Sequence, residues 1–301
     1  MTAVILDTLA YSRRQKMNTT PSRAVDAIGR AHALARADAR IVSLVPSLTE
    51  LLFELGVGDR LVGRTGFCIH PKDRIKTVPK VGGTKSVDIE AIRALAPTHL
   101  IVNIDENEKP TIDLLAGFVP NVIVTHPLGP LDNPPLYRLI GGIFGRESRA
   151  AELSEAFRKA YADAVLACVD LPRESVLYLI WKSPWMTVSR DTYISRTLAA
   201  VGWDTPEIES ADRYPKIELT PQFLSRVDRV LLSSEPYAFR ERHLEEIRQV
   251  LATPGTDFIP TPMDEVDSPV TVSLIDGEMT SWYGSRAIEG MKYLSRLRAA
   301  G

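Results

Sequence analysis

No run in this 301-residue chain approaches the ~18 consecutive apolar residues that a membrane helix needs. A helical membrane span is therefore not expected. Cysteine is almost missing as well: Cys68 and Cys168 stand a hundred residues apart, and the count alone leaves open whether they pair or remain free. A chain this long buries roughly three quarters of its unfolded surface and needs no disulfide to fold. There is no C-x-x-C pair and no G-x-S-x-G elbow, so neither a structural zinc knuckle nor an α/β-hydrolase nucleophile is encoded. Charge of one sign is missing too. Basic and acidic residues number 36 and 38, for a net charge of −2, which argues against nucleic acid or an anionic membrane as partner. Low-complexity tracts and short repeats are absent. What remains is ordinary globular composition, 45% hydrophobic and 25% charged.

The amino terminus lacks the pattern of a secretory signal. Its one apolar run, Ala3 to Leu6, is short and has no basic residue before it. On that ground a cytoplasmic location is expected, with the periplasm as the alternative. Arg23, Arg30, Arg36 and Arg40 among alanines have the look of a transit peptide, but Asp26 and Asp38 weigh against one. Residues 1–39 are expected to form an N-terminal extension, a solvated helix leading into the first strand. Met17 is a second candidate start.

From Arg40 onward short β-rich runs alternate with helical periodicity. RIVSLV, RLVGRT, HLIVN and NVIVT are strands. A helix is expected after Pro46, with Ser47 as N-cap and Glu50 completing a capping box. Another opens at Asp88 and stops before Pro97. Such alternation implies βαβ units and a parallel sheet. Between Pro135 and Asp170 no strand signal occurs. Apolar residues from Leu136 to Cys168 recur there at three-and-four spacing, predicting one rod of about 35 residues. Alternation then resumes with SVLYLIW, DRVLLSS and DFIPTP as strands. LTPQFLSRV is a helix capped by Thr220 with Pro221 at its first position. RERHLEEIRQVL and GEMTSWYGSRAIEGMKYLSRLRAA are the last helices. The fold class is α/β: two Rossmann-like lobes with parallel sheets, over 40–130 and 172–301, joined by a single long backbone helix within 131–171. The ligand cleft is expected between the lobes, and a stiff rod predicts closure by a small rocking movement.

Ligands of open parallel sheets bind beyond the carboxyl ends of the strands. The loops expected at that edge are TGFCIHP, VGGTK, NIDEN and THP in the first lobe, and KSPWMT and SSEPYAF in the second. They carry Phe67, Trp185 and Tyr237, with Tyr214 and Trp282 nearby. Flat rings with polar tips suit a large, partly planar ligand, although packing within the lobes would also account for any single ring.

Two stretches, RIVSLVPSLTELLFELG and DIEAIRALAPTHLIV about 35 residues on, carry a family resemblance. With the long helix that follows, the chain over 40–298 resembles the substrate-binding proteins with a helical backbone, the class III periplasmic binding proteins. These carry cobalamin, haem, iron–siderophore complexes or bare metal ions to ABC importers. The resemblance implies a non-catalytic, monomeric binding protein without an intrinsic cofactor. Its ligand would be a corrinoid such as cobalamin, or an iron chelate such as haem, and its protein partner an importer permease. It also puts Phe67, Tyr214 and Trp282 at the ligand and Glu90 at the permease-docking position of the first lobe. Thr84 stands where the cobalamin binders have a tryptophan, and Thr220, two residues from Glu218, stands where they have the second docking carboxylate.

Cys68 and His70 leave several chemistries open. A Cys–His nucleophile pair would lack an orienting third group. A bare-metal site would need help from Asp105, Glu106 or His126. An axial thiolate or imidazole would suit the iron or cobalt of a macrocycle, with Asn103, Glu106, Asn107, Thr84 and Lys85 on its peripheral substituents. A half-buried structural cysteine is the plain alternative. The leading reading is a binding protein for a metal-containing cofactor. A bare-ion carrier and a cofactor-modifying enzyme are its competitors.

Overall fold

The computed structural model describes residues 24–252 and 270–300. Of the helical extension expected over 1–39, residues 1–23 lie outside the described residues; from Ala24 onward a small antiparallel hairpin, β1 (Ala24–Val25) and β2 (Ala31–His32), stands in place of a helix. The buried Asp26 carboxylate builds its turn, accepting from the amides of Ile28 and Arg30 and pairing with His32 at 2.9 Å. It also accepts from the amide of Val124, which ties the hairpin to the first lobe.

That lobe contains β3 (Ile41–Ser43), α1 (Pro46–Glu54), β4 (Leu61–Arg64), α2 (Ile89–Ala94), β5 (His99–Asn103), α3 (Lys109–Ala116) and β6 (Asn121–Thr125). Its sheet has the order β4-β3-β5-β6, all parallel. Alternate residues divide between its faces. Ile41 and Ile101 join the core beneath the connecting helix, while Val42, Leu100 and Val102 join a second cluster under α2 and α3. Both faces are covered, which is why these strands read as continuous apolar runs. Asp88 caps α2 as expected, accepting from the amide of Ala91 at 2.9 Å. The capping box predicted for α1 does not form: Pro46 is already helical, Val45 precedes it without a side-chain cap, and Glu50 is engaged elsewhere.

Two helices follow, α4 (Asn133–Phe144) and α5 (Glu147–Cys168). The long backbone helix is present, but it is the 22-residue α5, about 33 Å long. The expected 35-residue rod breaks at Gly145, whose φ of 66° and ψ of 44° make a left-handed C-cap. Apolar periodicity runs through the break because α4 and α5 bury their stripes in the same core; it records the face and not the continuity.

The second lobe holds β7 (Glu174–Leu179), α6 (Tyr193–Ala199), β8 (Trp203–Asp204), α7 (Pro221–Leu224), β9 (Arg229–Ser233), α8 (Glu241–Ala252), β10 (Thr271–Ile275), α9 (Gly277–Ser281) and α10 (Ala287–Ala299). Its sheet, β10-β9-β7-β8, is again parallel throughout. Thr220 caps α7 with Pro221 at its first position, as expected. The strand DFIPTP predicted over 257–262 lies outside the described residues, and β10, which had not been expected, forms further on. The expected single closing helix is divided at 282–286, where Gly284 has a φ of 83°.

One hydrophobic core runs through both lobes. Ile41, Leu48 and Leu52 from the first, Phe144, Phe157 and Ala164 from α4 and α5, and Val176, Trp203 and Leu294 from the second belong to a single cluster. The lobes therefore share packed side chains and not merely a tether. Phe157, fully buried on α5, reaches Tyr137 of α4 at a ring separation of 6.4 Å. Phe157→Ala is expected to cost about 3–5 kcal/mol in denaturant unfolding, and to lower the stability of both lobes in one transition.

Candidate functional site

The carboxyl ends of both sheets open toward a gap between the lobes, and the loops there are tied across it by charged and aromatic side chains. Three groups of contacts make the bridge. His70, on the loop after β4, bonds Glu278 of α9 at 2.9 Å. Glu278 also faces Arg286 at 3.2 Å, and Arg286 grips Glu50 of α1 through two guanidinium nitrogens at 2.7 and 2.8 Å. Such a fork-on-carboxylate pair fixes orientation as well as charge. Glu50, expected as a capping residue, is thus a bridge between the lobes.

Asp105, on the loop after β5, makes the second group. It accepts from Arg213 at 2.9 Å and from the Tyr214 hydroxyl at 3.3 Å, and His126 lies at 3.4 Å. In the third, the Tyr283 hydroxyl donates to Glu106. Burial, with Glu235 and Asp105 nearby, pushes the Glu106 carboxyl up to about 7, while the Tyr283 bond opposes the rise. Glu235 accepts from the Trp282 indole at 2.6 Å and from Ser281 at 3.0 Å, and burial raises its pKa also. Trp282 meets His70 edge-on at 5.5 Å and carries Arg286 over its face at 5.1 Å.

The backbone at 282–286 makes this convergence possible. Gly284 donates its amide to Asn133 at 2.7 Å and accepts from Tyr137 at 2.8 Å. A Cβ there would stand 3.3 Å from the carbonyl oxygen of Ser47, and the positive φ disfavours a side chain in any case. The segment W-Y-G-S-R therefore threads against α1 of the first lobe and the connecting helix α4, and delivers Trp282, Tyr283 and Arg286 together.

The expected site residues divide. His70, Glu106, Tyr214 and Trp282 meet in the gap. Phe67 and Lys85 are exposed on the first-lobe rim, and Thr84 lies in the rim loop. Asn103 and Asn107 are buried and lock that rim: Asn107 donates to the carbonyl of Thr84 at 2.9 Å and accepts from the amide of Asn103, whose side chain in turn accepts from the amide of Asp105. They position Asp105 and Glu106 instead of facing a ligand. Trp185 and Tyr237 are built into a ring cluster of the second lobe. Trp185 stacks on Phe239 at 6.0 Å, and Tyr237 packs against Phe239 and His243.

Cys68 is the clearest departure from a rim ligand. It is fully buried in the core, its Sγ taking hydroxyl contacts from Thr49 at 3.1 Å and Thr65 at 3.2 Å. Burial also pushes its thiol up, away from the thiolate that ligates metals or attacks carbonyls. Side chains at i and i+2 share a direction only in extended chain, and this loop turns: the amide of Cys68 bonds the carbonyl of Thr65. Among the described residues no group of three or more His, Cys, Asp or Glu side chains is arranged to hold a metal ion. Sequence reasoning missed Glu50, Arg213, Glu235, Glu278, Tyr283 and Arg286 as gap residues. The available signals were the dense W-Y-G-S-R and R-Y-P stretches.

A two-lobed α/β fold with a long connecting helix and a gap at both sheets' carboxyl edges defines a ligand-binding protein of the helical-backbone kind. The chain belongs to the periplasmic binding protein family, which matches residues 41–218. That is a family of binding proteins and not of enzymes. Over 90 residues the chain is 34% identical to an uncharacterized ABC transporter substrate-binding lipoprotein of Bacillus subtilis, covering 30% of this chain and 28% of the relative. It is 28% identical over 96 residues to a vitamin B12-binding protein of Photorhabdus laumondii, covering 32% and 34%. These matches span about a third of the relatives' own length. The solved periplasmic vitamin B12 binding protein of Vibrio cholerae superposes with a TM-score of 0.69 at 15% identity, over 87% of this chain and 96% of that one. A periplasmic haem-binding protein from Roseiflexus also gives 0.69, at 22% identity, over 88% and 99%. At such identities the likeness establishes the fold. No described helix is long and apolar enough to cross a membrane.

Two outcomes follow from the site. The native Cys68 thiol is expected to stay inert toward a disulfide reagent and to react once the protein is denatured; fast native labelling at this position would contradict its burial. Glu106 holds a proton in the folded state that the unfolded chain releases near 4.5. Its contribution is therefore full below that pH and is lost as pH rises toward 7. Melting curves across this window are expected to show a smaller fall for Glu106→Gln than for the native protein.

Proposed function

We propose that the chain binds a metal-containing macrocycle or chelate, a corrinoid or an iron chelate, in the gap between its lobes and presents it to an ABC importer. One observation carries the reading. Large apolar side chains stand exposed together on the loops after β4, β5 and β7: Phe67 at 63%, Ile69 at 46% and Ile104 at 47% on the first lobe, and Trp181 at 40% on the second. A set of exposed apolar groups around a charged, partly dry interior suits a ligand with a broad apolar face and a polar edge. Between the loop at 69–72 and the chain at 234–235 and 276–278 a recess of about 430 Å³ already opens, lined by Ile69, His70, Lys72, Ser234, Glu235, Asp276 and Glu278. The names of the B12-binding and haem-binding proteins with this fold support the ligand class, and the substrate-binding lipoprotein supports the importer.

Docking would use Glu90, exposed on α2, and on the second lobe Glu218, exposed beside Thr220. Thr220 itself is occupied in capping α7. The family name supports action outside the cytoplasmic membrane, and fractionation of the producing cell reads the location directly. Purified protein titrated with cobalamin, haemin and ferric chelates is expected to bind at least one of them with quenching of its tryptophan fluorescence. Phe67→Ala or Trp181→Ala should weaken that binding about tenfold, the value of one stacked aromatic contact. Tight binding of zinc or ferric ion with no chelate bound would contradict the reading.

A further inference from the structure

The contacts that bridge the lobes are not equally built. Residues 282–286 are held through the backbone: Gly284 donates its amide to Asn133 and accepts from the Tyr137 hydroxyl, and all three residues are buried. Asn133 also donates to the Tyr193 hydroxyl of α6 at 2.9 Å, so one buried side chain ties the start of α4 to two elements of the second lobe. Arg286 adds its two-pronged bond to Glu50. Parting the lobes here would strip buried backbone groups of their partners and take the arginine from Glu50. The Ser285 hydroxyl is buried in this segment without a partner, but it is neutral and makes none of the bonds between the lobes. His70 and Glu278 meet by their side chains, and Glu278 is shared with Arg286, so that contact belongs with this segment.

The contact at Asp105 is of another kind. Its bonds are made by side-chain tips, Arg213 donating through Nη2 at 2.9 Å and Tyr214 through its hydroxyl at 3.3 Å. Two nitrogens within it are buried with no hydrogen-bond partner: Nε of Arg213, and Nε2 of His126, which lies 3.4 Å from the other carboxylate oxygen of Asp105. Nε and Nη2 share one edge of the guanidinium, so half of the fork that faces Asp105 is empty. A charged donor withdrawn from water and left unpaired is costly. Both sides also have a partner on their own lobe. Arg213 holds Asp191 through Nη1 at 2.7 Å, and Asp105 has His126 beside it. Parting here gives Nε of Arg213 to water and lets Asp105 turn to His126, so neither charge is stranded.

We infer that the gap opens on one side: the contact of Arg213 with Asp105 is a gate that parts first, and residues 282–286 are the pivot about which the lobes rock. Glu106, next in the chain to Asp105, is bonded to Tyr283 of the pivot. The loop that carries Asp105 therefore stays in place, and the movement lifts Arg213 and Tyr214 away from it. The asymmetry is a property of the chain alone and does not depend on which molecule the gap receives.

Spin labels on two pairs of introduced cysteines read the two sides separately in the full chain. Glu108 and Asp212, both exposed, lie beside the gate, and Glu54 and Glu289, also exposed, lie beside the pivot. In the native background each pair is expected to give one narrow distance distribution. Arg213→Ala is expected to lengthen and broaden the gate distance by several ångström while the pivot distance stays as it was. Should that variant misfold by circular dichroism, Asp105→Asn, which keeps the side chain's shape, gives the same reading. A gate distance that does not change, a pivot distance that changes as much as the gate, or a change at the pivot alone overturns the inference. No ligand enters the measurement, so either result leaves the proposed function standing.

Discussion

A carboxylate withdrawn from water must be given donors, a cation or a proton, and in this molecule that requirement holds the two lobes face to face. Glu50 and Glu278 share Arg286, Asp105 takes Arg213 and Tyr214, and Glu106 takes Tyr283. Each of these sets joins residues from both lobes. Removing one partner would strand a charge in a poorly solvated gap, which is far costlier than the net value of the pair itself. The loops are therefore fixed relative to one another by mutual need. Where cations run out, as at Glu106, the carboxyl turns to neutral donors and a raised pKa.

Beneath the gap the core enforces the same restriction. Side chains of both lobes pack into one cluster with α4, α5 and α10. Close-packed interiors transmit displacement instead of absorbing it. A wide hinge would have to open this cluster, so the movement left to the lobes is a rocking of the loops above it. The binding proposed for the gap would exchange some of the bridging contacts for contacts with the ligand, and the protein's own donors and acceptors would set the chemistry that such a ligand must match.

Most of the fold was legible in the sequence because its signals are local. Strands covered on both faces, such as HLIVN, need uninterrupted apolar residues, and Asp88 and Thr220 announce the helices they cap. The failures have one physical origin: periodicity reports which face is buried, not whether the backbone is continuous. It carried α4 into α5 across Gly145, and α9 into α10 across Gly284. The site was less legible. Cys68 drew attention by chemistry alone, yet the turn at Thr65 directs it into the core. Glu50 and Arg286 lie 236 positions apart, and nothing local in either stretch says that they meet. Trp185 and Tyr237 satisfied the rule of aromatics on sheet-edge loops and still packed inward against Phe239. Trp181, one bridge away in the same loop, stayed exposed.

Bridged by these contacts and joined by a common core, the lobes face each other across the gap with little freedom to part. Both native cysteines are buried, so spin labels can be placed on cysteines introduced at the exposed positions Lys85 and Glu218, one on each lobe. Pulsed dipolar spectroscopy is expected to give one narrow distance distribution that moves by only a few ångström when a chelate is added. A broad or two-peaked distribution in the free protein, or a large jump on binding, would contradict it.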